Sequence, residues 1–469
     1  MKLIKREPGV GYLDSWLWLP KTHVSELQIR SALSYIMPRE KGAVFAWKEE
    51  PHHFLVPRNY MLPETLAHLP YPVYDARPKK FPRVDLKSRV ALDAREPSQT
   101  YQRDGSAALL SVHDGILCLR CGAGKTVVAL HTAAQLKQPV LILVTDKGLA
   151  RQWMDEIEEF LGIPANEIGR VGGDGAKFDW ERPVTVALVQ TIAKRASEGT
   201  LPPQMTRHFG VVIADEAHLM GAPYFNMAMP PFQGRRWGLS ATPTRDDGFD
   251  SLLKYTVGNI VYSYLTPDLK PQVYFRRLDT KPDFANPKTN IATHDKGGEL
   301  HFGKLYGYFA TDAVRCDAIA NDVRTALSEG REVLVLTHSR AMVDALSSRF
   351  PDAGVCHADI KEADRMRLIR EHNPVIAIMQ LGKQALNKPK LDTLFVCEPL
   401  TKKGALQQIM GRILRSYANK KAPVVVVFED VNIRPLFLMC NKIRTSLVRW
   451  PAHKGGAIPF KIIKPKGST

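Results

Sequence analysis

Short apolar runs separated by amphipathic stretches recur along most of this chain, and that rhythm leaves few folds open. Residues 116–119, 140–144, 184–189 and 211–213 are apolar in succession rather than in alternation, as strands are when helices cover both faces of their sheet. Between them Leu149, Trp153, Ile157 and Leu161 repeat at a helical period. Strand and helix in alternation imply a parallel sheet with helical crossovers. The rhythm breaks over residues 276–304, where Pro282, Asn286, Pro287, Asn290, Gly297 and Gly298 read as loop. It restarts with strand-like runs at 333–336, 354–357, 375–378, 394–397 and 424–428. Two α/β units in tandem are expected.

The first 88 residues follow another pattern, with strand-like stretches at 16–19, 43–47 and 53–56 and a helical one at 26–36. Residues 78–87, rich in Pro, Lys and Arg, read as a linker. A small α+β accessory domain is expected there, its three tryptophans Trp16, Trp18 and Trp47 serving either as core or as a grip on a partner. The 469 residues allow two to four domains at roughly 100–200 residues each.

Net charge is the unusual element of composition. A formal +17 suggests a polyanionic partner, although a basic surface also serves solubility alone. No apolar run approaches the ~20 residues of a membrane span, and the opening Met1-Lys-Leu-Ile-Lys-Arg-Glu7 lacks the apolar core of a signal peptide. A cytoplasmic, unanchored protein with no membrane partner is expected. Cys118 and Cys121 form a C-x-x-C, but no second pair completes a four-ligand metal set, so both read as packing residues.

Four strings carry chemistry. In Leu119-Arg-Cys-Gly-Ala-Gly-Lys-Thr126 a strand ends in a glycine-bearing turn that opens a helix. Gly122, Ala123 and Gly124 would curl backbone N–H groups around phosphates, Lys125 would neutralise the β- and γ-phosphates, and Thr126 would offer a hydroxyl to Mg²⁺. Leucine at 119 departs from the strict glycine of that pattern, and the bland alternative is a glycine turn before a helix. Asp215-Glu-Ala-His218 follows an apolar run, so Asp215 and Glu216 project from a strand's C-terminal end. Asp215 is the expected Mg²⁺ carboxylate and Glu216 the group that orients or deprotonates water; the alternative is a solvated acidic turn. Ser240-Ala-Thr242 and Gln408-Ile-Met-Gly-Arg-Ile-Leu-Arg415 follow in order.

Together these strings resemble motifs I, II, III and VI of the superfamily 2 helicases, and Ala241-Thr-Pro-Thr-Arg-Asp-Asp247 is similar to the XPB-like branch. The layout over about residues 90–430 resembles phage branch-migration helicases of the UvsW type. The resemblance implies two RecA-like domains, at residues 89–268 and 269–469, behind the accessory domain at 1–88. It implies an ATP-hydrolysing enzyme using Mg²⁺, with forked or branched DNA as its partner, and it extends the expected setting to a phage-encoded protein acting in a host cell. Gln102 falls where the family reads adenine, with an ordinary surface glutamine as the alternative. His218, Ser240 and Thr242 match residues that couple nucleotide state to the nucleic-acid groove, against a reading of the hydroxyls as helix caps. Gln408, Arg412 and Arg415 match catalytic groups of motif VI, the arginines suiting the spread charge of a phosphoryl-transfer transition state; the alternative is a basic helix face. Family position further suggests Thr145, Lys147, Gln190 and Thr191, with His338, Ser339 and Arg340, as phosphate-backbone contacts. Motif V departs: Gln384-Ala-Leu-Asn-Lys-Pro389 carries amides where the family has carboxylates.

After Asp430 no acidic residue occurs, while Arg434, Lys442, Arg444, Arg449, Lys454, Lys461, Lys464 and Lys466 follow with Trp450 and Phe460 interleaved. This reads as a basic tail that contacts phosphates and stacks on bases, or as a solvated tail. Three functions stay open: a strand-separating DNA helicase, a double-stranded DNA translocase, and a nucleotide-regulated binding module with little turnover.

Overall fold

A computed structural model describes residues 6–36, 43–92, 100–120, 122–173, 177–241, 250–265, 269, 271–282, 301–381, 388, 390–400, 406, 409–410, 413–414, 417, 419–448 and 458–464. The chain divides into two compact units, Met1–Tyr264 and Leu265–Thr469. Each holds a large sheet of mainly parallel strands flanked by helices, as tandem RecA-like domains do, and the first unit also contains a smaller N-terminal α+β part.

The N-terminal sheet runs in the order Lys48–Glu49, His53–Pro57, Trp16–Pro20, Gly11–Leu13, Val73–Asp75. Its helix, Glu26–Leu33, starts where Ser25 and Gln28 form a capping box: Ser25 Oγ accepts the Gln28 N–H and Gln28 Oε1 accepts the Ser25 N–H. Leu17, Leu19, Ile29, Leu33, Phe54 and Val56 form the core. Trp47 meets Phe54 edge-on at 5.8 Å, so it packs with that core. Trp16 and Trp18 lie against cations instead, Lys48 at 5.3 Å and Arg6 at 3.5 Å from their rings.

The N-terminal part is fastened to the rest of the first unit by buried contacts. Leu252, from the helix Asp250–Val257, belongs to the N-terminal core, and the Asn59 N–H donates to Tyr255 O. Arg58, 2% exposed, forks onto both oxygens of Asp114 at 2.7 and 2.5 Å and donates to the carbonyls of Gln233 and Gly234. Arg236, fully buried, donates to the carbonyls of Ser15, Pro230 and Thr256, and its N–H reaches Asp114 at 3.0 Å. The linker is laid down as well: Val84 and Arg89 N–H groups bond Lys137 O and Phe160 O, and Leu86 is buried.

The first large sheet runs Phe178–Asp179, Gly169–Val171, Val184–Leu188, Val140–Val144, Val211–Ala214, Arg235–Ser240, Asp114–Leu119, Ile260–Tyr264. Only the outermost pair, Phe178–Asp179 with Gly169–Val171, is antiparallel. The second large sheet is parallel throughout: Gly354–Cys356, Val375–Ile378, Val333–Thr337, Thr393–Val396, Val424–Asp430, Gln272–Leu278, Phe460–Ile463. Thus the stretch read as loop opens with the strand Gln272–Leu278 and closes with the helix Phe302–Phe309, while residues 283–300 lie outside the described residues. Cys118 sits in the Asp114–Leu119 strand, where burial pushes its thiol up to about 12.

The expected basic tail is in part structural. Helix Arg434–Val448 buries Leu436, Cys440, Ile443 and Leu447, Arg444 pairs with Glu429 at 2.6 Å, and Phe460–Ile463 joins the sheet beside Gln272–Leu278. Phe460 packs edge-on against Phe275 at 5.4 Å, which places it in the fold rather than on a base. Truncation from residue 440 is therefore expected to destabilise the second unit. A urea titration of the full and truncated chains checks this: unfolding of the second unit should move to lower urea or its transition vanish, and unchanged unfolding would return the segment to a dispensable role.

Candidate functional site

Three neighbouring parallel strands, Val211–Ala214, Arg235–Ser240 and Asp114–Leu119, deliver the motif residues at their C-terminal ends. From Asp114–Leu119 the chain turns through Gly122 and Gly124, both in the left-handed region at φ 79° and 81°, and enters the helix Lys125–Leu136 with Gly124 as its N-cap. A Cβ on Gly124 would lie 2.6 Å from Gln102 Nε2 and 2.9 Å from Val127, so glycine is required by space as well as by φ. The first N–H groups of that helix and its dipole favour an anion. Lys125 Nζ stands there, 3.4 Å from Leu119 O.

Gln102 is 2% exposed, which removes the surface-glutamine alternative. Its amide donates to Ala123 O at 2.9 Å and braces the turn, while Oε1 is buried with no hydrogen-bond partner among the described residues. Tyr101 stacks on Tyr264 at 4.2 Å.

Asp215 and Glu216 leave the end of Val211–Ala214. Asp215 is 8% exposed; Oδ2 accepts the indole N–H of Trp153 at 2.8 Å and Oδ1 accepts the Glu216 N–H at 2.8 Å. Burial and the Glu216 charge raise its carboxyl above the usual range, against the pull of Trp153 and Lys125. Glu216, itself at φ 47°, has Oε2 buried without a hydrogen-bond partner among the described residues, the His218 ring being 3.4 Å away. His218 Nδ1 lies 3.5 Å from Ser240 Oγ, linking the ends of two adjacent strands. Thr242, Gln408, Arg412, Arg415 and the segment Gln384–Asn387 lie outside the described residues.

Two members of this cluster escaped the sequence reading. Trp153 and Glu156 are three apart on helix Lys147–Leu161, so they share a face. Glu156 accepts from Gln152 at 2.7 Å and from the Thr126 hydroxyl. Burial raises its carboxyl against those two hydrogen bonds, with the Asp215 charge adding to the rise. Trp153 had registered only as one apolar position in a helical repeat.

Thr145, Lys147, Gln190 and Thr191 gather where the paired strands Val140–Val144 and Val184–Leu188 end. Gln190 Nε2 donates to Thr145 O at 2.7 Å, Lys147 is the first residue of a helix capped by Asp146, and Thr191 crowds Gly172. In the second unit, His338 stacks on Tyr306 at 5.2 Å, and its N–H donates to Glu398 at 2.9 Å. Ser339 caps the helix Arg340–Ser347 by position, and Arg340 is engaged by Asp344 and Asp359 at 2.9 and 2.6 Å.

The first-unit cluster fits a magnesium nucleotide. A turn whose Gly124 has no room for a Cβ, a helix N-terminus behind it, a lysine, and hard oxygen donors from Thr126 and Asp215 match phosphates and Mg²⁺ in charge and in ligand type. Residues 98–245 match the family described as "Type III restriction enzyme, res subunit". The chain is similar to proteins named as helicases. It is 29% identical over 277 residues to the DNA 3'-5' helicase XPB of Kineococcus radiotolerans, covering 57% of this chain and 47% of that protein. The chain thus spans about half the length of that relative. An African swine fever virus protein, provisionally named an ATP-dependent RNA helicase, is 24% identical over 405 residues, 78% of this chain and 74% of its own. The crystal structure of T4 UvsW aligns over 93% of this chain and 95% of its own at 18% identity and a TM-score of 0.37.

Proposed function

We propose that this protein is an ATP-dependent DNA helicase that acts on forked or branched DNA. The observation that carries the enzymatic part is the delivery of Lys125, Asp215, Glu216 and Ser240 by three adjacent parallel strands to one edge of a sheet. Lys125 and the helix N-terminus offset phosphate charge. Thr126 and Asp215 hold Mg²⁺, which when bound draws charge from the phosphate oxygens and neutralises what develops on them. Glu216 orients a water and accepts its proton as the water oxygen bonds to the γ-phosphorus and ADP leaves. His218 and Ser240 tie this carboxylate to the neighbouring strand end, a route by which hydrolysis and movement are coupled.

A nucleic-acid partner is favoured by the +17 charge, and DNA by the printed name of the XPB relative, with the African swine fever virus protein's name as the reason to include RNA in the test. ATPase and strand displacement should be measured in parallel on single-stranded, duplex, forked and four-way DNA and on RNA. DNA-stimulated turnover with greatest displacement on forked or four-way substrates is expected. Equal stimulation by RNA, or no preference among DNAs, would remove the corresponding part of the reading. The matched family takes its name from a restriction-enzyme subunit, and this favours one second reading, a double-stranded DNA translocase. Duplex-stimulated ATPase without strand displacement would select it.

A further inference from the structure

We propose that Trp153 is a positioning residue for the ATPase site, its indole N–H fixing the rotamer of the Asp215 carboxylate; this rests on the ATPase reading above. Asp215 is held from two sides by different elements: Oδ2 by Trp153 at 2.8 Å from the helix Lys147–Leu161, and Oδ1 by the Glu216 N–H from its own turn. Two donors on two oxygens leave a carboxylate no free rotation. Trp153 is 1% exposed, so no water competes for its N–H, and a charge-assisted bond in such surroundings is strong. One turn on, Glu156 takes the Thr126 hydroxyl. A single helix face therefore touches both groups assigned to Mg²⁺. The rest of that face, Ile157 and Leu161, is aliphatic and buried, as filling space alone would require. An indole and a carboxylate at 153 and 156 add polar contacts that packing does not call for.

Trp153→Phe and Trp153→Tyr keep a ring in the core and remove the donor from its place. Their unfolding midpoints should stay close to that of the wild-type chain. Mn²⁺ affinity in the presence of ADP, read by electron paramagnetic resonance, should fall about tenfold or more, and kcat should fall by a similar factor, the range for residues that orient a metal ligand. KM for ATP at saturating metal should change far less. Ile157→Ala, which loses volume on the same face without touching Asp215, should lower the unfolding midpoint and leave Mn²⁺ affinity unchanged. Wild-type Mn²⁺ affinity and kcat in the Phe and Tyr variants would overturn the role, as would losses that track the unfolding midpoint in the manner of Ile157→Ala. Absence of nucleotide-dependent Mn²⁺ binding and of turnover in the wild-type chain would overturn the ATPase reading itself.

Discussion

Glu216→Gln is expected to leave ATP bound but uncleaved, with turnover lower by about 10²–10⁴-fold, the usual contribution of a positioned general base. Its neutral amide can still occupy the space beside His218 but cannot take a proton from water. Lys125→Ala should act by another route. Loss of the ammonium at the helix N-terminus removes charge that meets the phosphates in the bound and transition states alike, so ATP affinity and turnover should fall together, turnover by at least about 10²-fold. Equilibrium nucleotide binding and steady-state ATPase on both variants separate the two routes. Normal turnover in either variant would remove that residue from the site.

The largest effect on stability is expected at Asp114. Burial alone would push its carboxyl up, but the Arg58 guanidinium 2.5 Å away and the neighbouring His113 and Arg236 hold it well below the usual carboxylate range. A carboxyl depressed in the folded state stabilises fully above its unfolded pKa of about 3.9 and loses that contribution as pH falls through this value toward the folded one. Acid should therefore weaken the first unit below about pH 4. Asp114→Ala takes the paired carboxylate from the buried Arg58 guanidinium and an acceptor from the Arg236 N–H, and should cost about 3–5 kcal/mol. Denaturant unfolding at pH 7 and at pH 3.5 provides the check: the wild-type chain should lose stability between the two, and the variant should start low and lose less. An equal pH response in both would assign the acid sensitivity to other carboxylates.

How much of this was legible in the sequence depended on what each strand buries. Val140–Val144 and Val375–Ile378 are uninterrupted apolar runs and have the expected bounds. Arg235–Ser240 was missed because Arg235, Arg236 and Gly238 break the run. Yet Arg236 is buried with both terminal nitrogens satisfied by carbonyls of the surrounding turns, only Nε having no partner among the described residues, and Gly238 is where a Cβ would strike Ala217 at 2.8 Å. Gln272–Leu278 and Phe460–Ile463 mix charges with apolar residues and gain definition only from their partners. The phosphate-type turn and the Asp215-Glu216 pair were legible because their chemistry is local. Trp153 was not, because the carboxylate that gives its indole N–H a purpose lies 62 residues away in sequence.

The joint at Asp114 also bears on how the protein emerges from a ribosome. Arg58 is made first, Asp114 after 56 more residues, and the carbonyls of Gln233 and Gly234 after 175 and 176. Until then the guanidinium lacks those two carbonyls, and the N-terminal core lacks Leu252. The N-terminal sheet therefore cannot finish folding as it is made, although domains at the leading end of a chain generally do so. It has to wait, partly open, for the last strands of the first unit, and that interval is when the nascent chain is most exposed to proteases and chaperones.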